Sequence, residues 1–437
     1  MRKILSTIAV LSALTLASCG KTAAVKEEST APETTAASTA SQAEKTTTTA
    51  ETTTTAATTT KAPENAGDAP EAVQAEISGS VEVYSETAVR EIISSINAEL
   101  AEPDVLIDTG STGEKKMRIP IIYEGKKYEK EITYNVADTT KPLVVNSGWN
   151  PYVKLGQPFN IDSIVGYIDN YDRQPSITYT GDVNTSEVGS YPISVTVTDS
   201  SGNSSSWDMD VLVLNEIPRP EDNEPRVTFD DFMAYYNYVD VSYGIDVSTW
   251  QGSVDYDAVR NAGAEFVLMR VGFYYSGEVE MDDCYQQNIA NASAAGLDVG
   301  VYFYSADNTE EGAREHARWI IDQLGGKQTE YPIAFDWEEW GTIQEYGMNL
   351  RDLNNVFEAF CDEVEKHGYK AMLYSSKNFL ENVWENRNNH PVWLAHYTDE
   401  TDYSGPFAIW QASSVGRIPG IAGDVDMNIR FKNIPLE

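Results

Sequence analysis

The sequence predicts a multidomain fold: a C-terminal α/β barrel, preceded by an all-β sandwich and by a disordered tether. Three patterns predict this order. A Thr- and Ala-rich stretch lies near the N-terminus, short alternating strands punctuated by Gly, Asn and Asp fill the middle, and apolar segments of strand and helix length alternate to the end. With 437 residues, the chain has room for several such domains.

Composition narrows the function before any motif is considered. A formal net charge of −37 and a pI near 4.3 argue against a protein that binds nucleic-acid phosphates. The cysteines Cys19, Cys284 and Cys361 are too few for a disulfide-stapled scaffold, and we expect the last two to be free thiols. The histidines show no H-E-x-x-H spacing, so zinc-dependent chemistry is not expected. We therefore expect a monomer without metal or cofactor.

The first residues are typical of a targeting segment. Arg2 and Lys3 precede an apolar stretch, residues 4–16, that is too short for a typical membrane-spanning helix. The sequence Leu16-Ala17-Ser18-Cys19-Gly20 resembles the lipobox of bacterial lipoproteins. The resemblance implies a signal peptide over 1–18 and lipidation of Cys19, which would hold the protein on the outer face of the bacterial cytoplasmic membrane. An ordinary signal peptide with a chance cysteine is the alternative.

Residues 19–75 are a low-complexity segment of Thr, Ala, Glu, Ser and Pro, with runs such as Thr46–Thr49. Because this segment contains almost nothing to bury, the entropy of ordering it is not offset. We predict a disordered tether that separates the folded part from the membrane.

Residues 76–138 are predicted to form a small α+β domain or a divergent immunoglobulin-like module. Thr87 is placed to cap a helix over Ala88–Leu100, in which apolar residues recur at helical spacing. Alternating strands follow over Met117–Ile119 and Tyr128–Val136.

Residues 139–216 are predicted to form a β-sandwich, because short alternating strands such as Ile177–Tyr179 and Tyr191–Thr198 are separated by turn residues. The stretch Gly189–Asn203 resembles the immunoglobulin-like modules of bacterial surface proteins. We interpret this module as a spacer rather than a ligand-binding domain. Residues 217–239, which begin with a segment rich in proline and acid, are interpreted as a linker.

Residues 240–437 are predicted to form the barrel, because strands that are apolar throughout indicate a parallel sheet covered by helices. The expected strands are Gly244–Val247, Phe266–Val271, Val299–Tyr304, Ile333–Trp337, Ala371–Tyr374, Val392–Ala395, Ala408–Gln411 and Val425–Ile429. The expected helices are Asp255–Ala262, Cys284–Ala295, Glu310–Leu324 and Leu350–His367. The last connections are too short for full helices.

Carboxylates mark three strand ends of this barrel, where functional groups gather in parallel α/β barrels. Asp246 ends the first strand, Asp336 and Glu338 end the fourth, and Asp426 lies in the last. Residues two apart in a strand share a face, so Asp336 and Glu338 are expected to point together into the barrel mouth. By the same alternation, Glu339 is expected to point away from the mouth and to have no role there. Two close carboxylates hold a proton between them, and such a pair provides the acid and the partner charge of glycoside hydrolysis.

Aromatic residues around the same strand ends favour a sugar ligand, because sugar rings stack on aromatic faces. The candidates for substrate binding are Tyr302, Tyr304, Trp340, Tyr374, Trp393, Tyr397, Trp410 and the neighbouring Gln411. Any one of these rings serves packing as readily as binding, and Trp337 is expected to face the helices.

The C-terminal region resembles glycoside hydrolase family 25, the lysozymes of fungi, streptomycetes and phages. The matching stretches are Tyr243–Ser248 with Trp250–Gly252, Ile333–Glu338, Trp393–Ala395, Trp410–Gln411 and Gly420–Asn428. The resemblance implies a barrel of five β/α units followed by three strands, and hydrolysis of the β-1,4 bond between N-acetylmuramic acid and N-acetylglucosamine in peptidoglycan. It also implies that Glu338 is the general acid/base, Asp336 the second carboxylate, and Asp246 and Asp426 further cleft carboxylates.

Three other functions remain open at this stage. The barrel is alternatively a non-catalytic module that binds cell-wall glycan, although the intact carboxylate pair favours an enzyme. A cysteine peptidase is disfavoured because Cys284 and Cys361 have acidic neighbours, which oppose thiolate formation. Activity on chitin-like glycan is the third alternative. From sequence, the nucleophile is either Asp336 or the N-acetyl group of the substrate, and the one-sided carboxylates favour the latter.

Overall fold

The structure, a computed structural model, describes residues 67–145, 150–218 and 225–436. The expected signal peptide, Cys19 and most of the expected tether therefore lie outside the described residues. The chain divides into two compact units: the first includes residues up to 79, 87–107 and 115–134, and the second consists of 80–86, 108–114 and 135–437. Among the helices of the described residues, none has the length and apolar character needed to cross a bilayer.

The N-terminal region is built mainly from strands. Its elements are β1 (Ala75–Ile77), β2 (Ser80–Glu82), α1 (Val89–Ile92), β3 (Ile93–Ile96), β4 (Glu99–Leu100), β5 (Gly113–Tyr123), β6 (Lys126–Ala137) and β7 (Leu143–Val144).

The prediction of a helix over 88–100 is wrong, because α1 ends at Ile92 and the chain continues as strand β3. The β-branched Ile93 and Ile96 favour extended backbone, and β3 pairs antiparallel with β1. Ordered structure also begins before residue 76, since Val73 is fully buried within the segment expected as tether. Tertiary pairing thus overrides the helical spacing seen in the sequence.

The middle region is a two-layer β-sandwich, as predicted. Its elements are β8 (Tyr152–Lys154), a 3-10 turn (Ile161–Ser163), β9 (Tyr167–Ile168), β10 (Ser176–Thr180), β11 (Gly189–Thr198) and β12 (Ser204–Leu214). One sheet has the order β10-β11-β12-β8, and β7 pairs with β9. Alternate residues of the two long strands fill the core, namely Ile193, Val195, Val197, Met209, Val211 and Val213.

The C-terminal region is a closed barrel of eight strands. Its strands are β14 (Val241–Val247), β15 (Phe266–Tyr275), β17 (Asp298–Ser305), β18 (Ile333–Trp337), β19 (Ala371–Ser376), β20 (Val392–Ala395), β21 (Ile409–Arg417) and β22 (Val425–Phe431), with β16 (Glu278–Met281) appended to β15. Neighbouring strands from β14 to β21 pair in parallel, and antiparallel β22 pairs with both β21 and β14 and closes the barrel.

Helices cover the outside of the barrel between successive parallel strands. They are α3 (Tyr256–Asn261), α4 (Tyr285–Ala295), α5 (Glu310–Leu324), α6 (Leu350–Lys366) and α7 (Lys377–Asn382). Cys284 and Cys361, at the start of α4 and within α6, are free thiols.

Side chains of each strand alternate between the helix layer and the barrel interior. In β18, Ile333, Phe335 and Trp337 join the outer core, whereas Ala334 joins a separate cluster inside the barrel. Asp336 has the same parity as Ala334 and therefore faces the interior. The rule that predicted the catalytic face thus holds along this strand.

The prediction of a linker over residues 217–239 is wrong for its second half, which is part of the barrel domain. Strand β13 (Val227–Thr228) pairs with β21, and helix α2 (Phe229–Tyr235) follows it. Phe229 and Phe232 are each only 1% exposed in the barrel core. Burial of these two rings orders a stretch whose acidic residues alone indicated solvent exposure.

Candidate active site

Four carboxylates share the interior face at one end of the barrel. Asp246 and Asp426 are direct partners in the antiparallel pairing of β14 with β22. Asp336 is the next-to-last residue of β18, and Glu338 follows that strand directly. Burial, followed by electrostatic repulsion within the group, raises the pKa of Asp336, Glu338 and Asp426, and for each of them Asp246 is among the contributing charges. The structure therefore brings together the carboxylates that the sequence placed at separate strand ends.

Asp246 is held by an amide network. Its Oδ2 accepts hydrogen bonds from Gln411 Nε2 (2.9 Å) and Asn428 Nδ2 (2.7 Å). Burial raises the pKa of Asp246 to about 6, and the two amide donors oppose that rise. Asn428 is itself fixed by Trp393, whose Nε1 donates to Asn428 Oδ1 at 2.8 Å. These contacts fix the orientation of Asp246 across three strands of the barrel.

Asp336 is buried with an unused acceptor. It is 5% exposed, and its Oδ1 has no hydrogen-bond partner within the described part of the chain. Burial raises its pKa well above the usual range, repulsion by Glu338 and Asp246 adds to this, and the Arg270 guanidinium opposes it. Arg270 lies on β15 and forms an ion pair with the fully buried Asp282 (2.8 Å). The raised pKa favours the protonated form of Asp336, and Oδ1 is free to meet a ligand.

Glu338 is partly buried, and its pKa suits an acid catalyst. Burial, then repulsion by Glu339 and Asp246, raises its pKa to about 7. At neutral pH a substantial fraction of this carboxyl retains its proton. Burial, followed by repulsion by Asp246 and Glu338, raises the pKa of Asp426 well above the usual range.

Glu339 differs from the sequence expectation that it points away from the mouth without a role there. It is 8% exposed, and its Oε1 accepts a hydrogen bond from Tyr304 Oη (2.7 Å). It also receives a hydrogen bond from Tyr346. The reason is that β18 ends at Trp337, so strand alternation no longer governs residues 338 and 339. Glu339 is a neighbouring charge of Glu338 rather than a bystander.

The predicted aromatic residues fall into two groups. Tyr302, Tyr374 and Tyr397 lie around the carboxylates, which raise the pKa of each phenol beyond the effect of burial. Tyr374 and Tyr397 both donate to Gln411 Oε1 at 2.9 Å, so Gln411, at 3% exposure, is a buried link between these rings and Asp246. Tyr397, at 37% exposure, presents the most open ring of the predicted set.

The predicted tryptophans are placed in packing positions. Trp393 and Trp410 are each 1% exposed, and Trp410 Nε1 donates to His396 O. Trp340 stacks on Phe379 with ring centroids 3.8 Å apart. Neither Trp393 nor Trp410 offers a ring face to a sugar in this structure. Trp393 packs against Tyr302 and Tyr374 inside the barrel, whereas Trp410 packs against Tyr236 in the outer core.

The β-sandwich contacts the segment that follows Glu338. This segment is a 3-10 stretch, Trp340–Tyr346. Gln344 Nε2 donates to the backbone oxygens of Asp162 (2.8 Å) and Val165 (3.1 Å). Gly166 packs so tightly that a Cβ there would lie 2.1 Å from Trp340 O. The module interpreted as a spacer therefore supports the backbone two residues beyond Glu338.

Sequence reasoning missed Arg270, Asn428 and Asp282. Arg270 and Asn428 occupy strand positions whose side chains face the barrel interior. The same alternation along a strand that predicted Asp336 could therefore have predicted both. Asp282 carried no such signal, because it follows the short strand β16 and reaches Arg270 only through the tertiary fold.

Comparison with known proteins agrees with this geometry. Residues 245–421 match the family described as Glycosyl hydrolases family 25, and residues 146–213 match Bacterial surface protein, Ig-like domain. The Autolytic lysozyme of Clostridium acetobutylicum is 27% identical over 187 residues, which is 42% of this chain and 54% of that protein. Lysozyme M1 of Streptomyces globisporus is 27% identical over 198 residues, covering 42% and 66%.

The uncharacterized protein YegX of Escherichia coli is 28% identical over 221 residues, covering 46% of this chain and 79% of that protein. Among solved structures, similarity extends to the bacterial lysozyme from Streptomyces coelicolor, with 24% identity, a TM-score of 0.37 and coverage of 43% and 90%. By the two family matches, residues 245–421 form a domain of Glycosyl hydrolases family 25, which this chain joins to a bacterial surface Ig-like domain over residues 146–213.

Proposed function

We propose that the protein is a lysozyme that hydrolyses the β-1,4 bond between N-acetylmuramic acid and N-acetylglucosamine in peptidoglycan. The observation that carries this proposal is Glu338, a carboxyl whose pKa is raised to about 7 beside three further carboxylates at the barrel mouth. The named lysozymes among the relatives support the same substrate. In this proposal, the barrel consists of five β/α units followed by three strands.

In the first step, Glu338 donates its proton to the glycosidic oxygen as the bond to the anomeric carbon breaks. The leaving sugar departs as an alcohol, and positive charge develops on the sugar that remains. The ionised form of Glu338 then accepts a proton from the attacking water, which restores the acid. One group thus serves both steps, which requires a pKa near the working pH.

Asp336 is assigned to orient the N-acetyl group of the substrate. The carbonyl oxygen of that group bonds to the anomeric carbon as the leaving sugar departs, and this bond breaks when water attacks the same carbon. Burial and repulsion by Glu338 raise the pKa of Asp336 well above the usual range, which disfavours the ionised form that attack by Asp336 itself would need. Its unpartnered Oδ1 is instead suited to a hydrogen bond with the acetamido group. Asp246, whose pKa of about 6 leaves it mainly ionised at neutral pH, provides negative potential that stabilises the developing positive charge. Asp426 is a further carboxyl of the cleft, and Tyr397 lines the mouth.

Digestion of purified peptidoglycan, followed by identification of the new reducing end, tests the proposal. A muramic acid reducing end is expected, and Glu338→Gln should release none. Release of glucosamine ends, or equal turnover on chitin oligomers, would assign a different bond. Binding to peptidoglycan without release of any fragment would favour the non-catalytic glycan-binding alternative.

We also propose that the enzyme acts as a monomer at the cell surface, anchored through a lipid on Cys19. The motivation is the lipobox-like sequence followed by the Thr-rich segment. Cys19→Ala should shift the protein from the membrane fraction to the soluble fraction. Retention of the variant in the membrane fraction at the wild-type level would contradict lipid anchoring.

A further inference from the structure

Three aspartates outside the active site converge at one end of the Ig-like sandwich. Asp138 follows β6, Asp169 follows β9 and Asp199 follows β11. One carboxylate oxygen from each lies within 4.8 Å of the others. Their exposed fractions are 6%, 0% and 6%, so three acidic groups share a site from which water is largely excluded.

No protein cation balances this charge. Within residues 67–145, 150–218 and 225–436, none of the three aspartates forms an ion pair with a lysine, arginine or histidine. Burying even one unpaired carboxylate costs several kcal/mol, on the order of the whole stability of a small domain. A buried group of three therefore requires a counter-charge or bound protons.

The hydrogen bonds of the aspartates leave part of the group unused. Asp169 Oδ2 accepts from the backbone N–H groups of Tyr171 (2.9 Å) and Asp172 (2.7 Å). Asp199 accepts from the backbone and side-chain nitrogens of Asn203, each at 2.8 Å. Asp138 Oδ2 is buried and has no partner in the described part of the chain. This unpartnered oxygen belongs to a residue that is more than nine-tenths buried and is a member of the group.

Asn170 lies beside this group. In the amide orientation that satisfies its hydrogen bonds, its side-chain nitrogen donates to Oδ1 of both Asp138 and Asp169 at 3.3 Å. These contacts engage Oδ1 of Asp138, and its buried Oδ2 is the atom without a partner in the described part of the chain.

We propose that Asp138, Asp169 and Asp199 form a Ca²⁺ site in the Ig-like domain. The donor set consists of hard oxygens only, which Ca²⁺ and Mg²⁺ prefer over the transition metals. Ligands from three separate loop ends suit the irregular shell of Ca²⁺ better than the strict octahedron of Mg²⁺. Extracellular Ca²⁺ modules typically bind with Kd values on the order of 10⁻⁴–10⁻³ M.

The site has a structural role in the same unit as the barrel. Asp169 also connects to the barrel, because its backbone oxygen accepts from Leu350 N (2.8 Å), and Asn349 Nδ2 donates to Tyr171 O (2.7 Å). A cation held by Asp169 therefore rigidifies the loop through which the sandwich contacts the start of helix α6. The site supplies stability to this contact and takes no part in the chemistry at Glu338.

The test is a Ca²⁺ titration of the purified full chain after treatment with a chelator. Thermal unfolding and isothermal calorimetry are measured with CaCl₂ and, separately, with MgCl₂. At a Ca²⁺ concentration about 100 times Kd, the unfolding midpoint should rise by about 5 °C or more, with a smaller response to Mg²⁺.

Asp169→Asn should abolish both the heat of binding and the midpoint rise, whereas Asp182→Asn, an exposed carboxylate on the same domain, should retain them. In chelator, Asp169→Asn should be at least as stable as the wild type, because it relieves repulsion, so loss of binding is separable from misfolding. Absence of Ca²⁺ binding by the wild type at 10-fold the upper Kd range, about 10⁻² M, would overturn the site. A Ca²⁺ response that persists in Asp169→Asn would overturn it equally.

Discussion

Removal of the Glu339 charge should move the pH dependence of catalysis without destroying catalysis. Repulsion by Glu339 is the largest contribution after burial to the raised pKa of Glu338. Glu339→Gln keeps an acceptor for Tyr304 Oη but removes the negative charge. The pKa of Glu338 should then fall, and the alkaline limb of the pH profile of kcat/KM should move to lower pH by roughly 0.5–1 unit.

The magnitude at stake follows from the protonated fraction of Glu338. With a pKa of about 7, roughly half of the enzyme holds the proton at pH 7, whereas at the ordinary value of 4.5 only about 0.3% would, a ratio of about 150. In Glu339→Gln, burial of Glu338 and repulsion by Asp246 still raise the pKa of Glu338, so only part of this roughly 150-fold ratio should be lost. Glu338→Gln, by contrast, should lower kcat by at least about 10²–10⁴-fold at every pH.

The assay is the initial rate of soluble peptidoglycan cleavage between pH 4 and 9. Glu345→Gln removes an exposed charge from the same 3-10 segment and should leave the profile unchanged. An alkaline limb that stays in place or rises in Glu339→Gln would refute the electrostatic coupling. An active Glu338→Gln would refute the assignment of the acid itself.

Three further outcomes follow from the structure. Gly166→Ala, whose new Cβ would lie 2.1 Å from Trp340 O, should lower kcat/KM about 10-fold or more, whereas Gly189→Ala, with its nearest contact at 3.4 Å, should match wild type in the same assay. Burial raises the pKa of Asp246 from 3.8 to about 6, so the stability that its protonated form contributes is complete below pH 3.8 and is lost as pH rises through 6. The free energy of unfolding of Asp246→Asn relative to wild type, measured by thermal unfolding, should therefore increase by up to about 3 kcal/mol between pH 4 and 7. A chain that starts at residue 238 lacks α2 and should unfold at least about 5 °C below one that starts at 225; equal midpoints would show that α2 is dispensable.

The sequence alone determined which carboxylates lie at the strand ends and the order of the barrel strands. Strand β18 and helix α5 have the predicted bounds, because apolar spacing is a local property that the fold preserves. Asp336 faces the interior for the same reason, since side-chain parity along a strand needs no tertiary information. The predicted sandwich also followed from local turn residues between alternating strands.

Only the tertiary structure decided which groups control those residues. Gln411 and Asn428 reach Asp246 across 165 and 182 positions of sequence, and no local pattern encodes such contacts. Glu339 is buried beyond the end of β18, where it accepts a hydrogen bond from Tyr304, and Asp138 meets Asp169 because three loop ends share one end of the sandwich. Charge, burial and pKa depend on these long-range contacts, and therefore the raised pKa of Glu338 and the grouping of the three aspartates emerged only when the chain was folded.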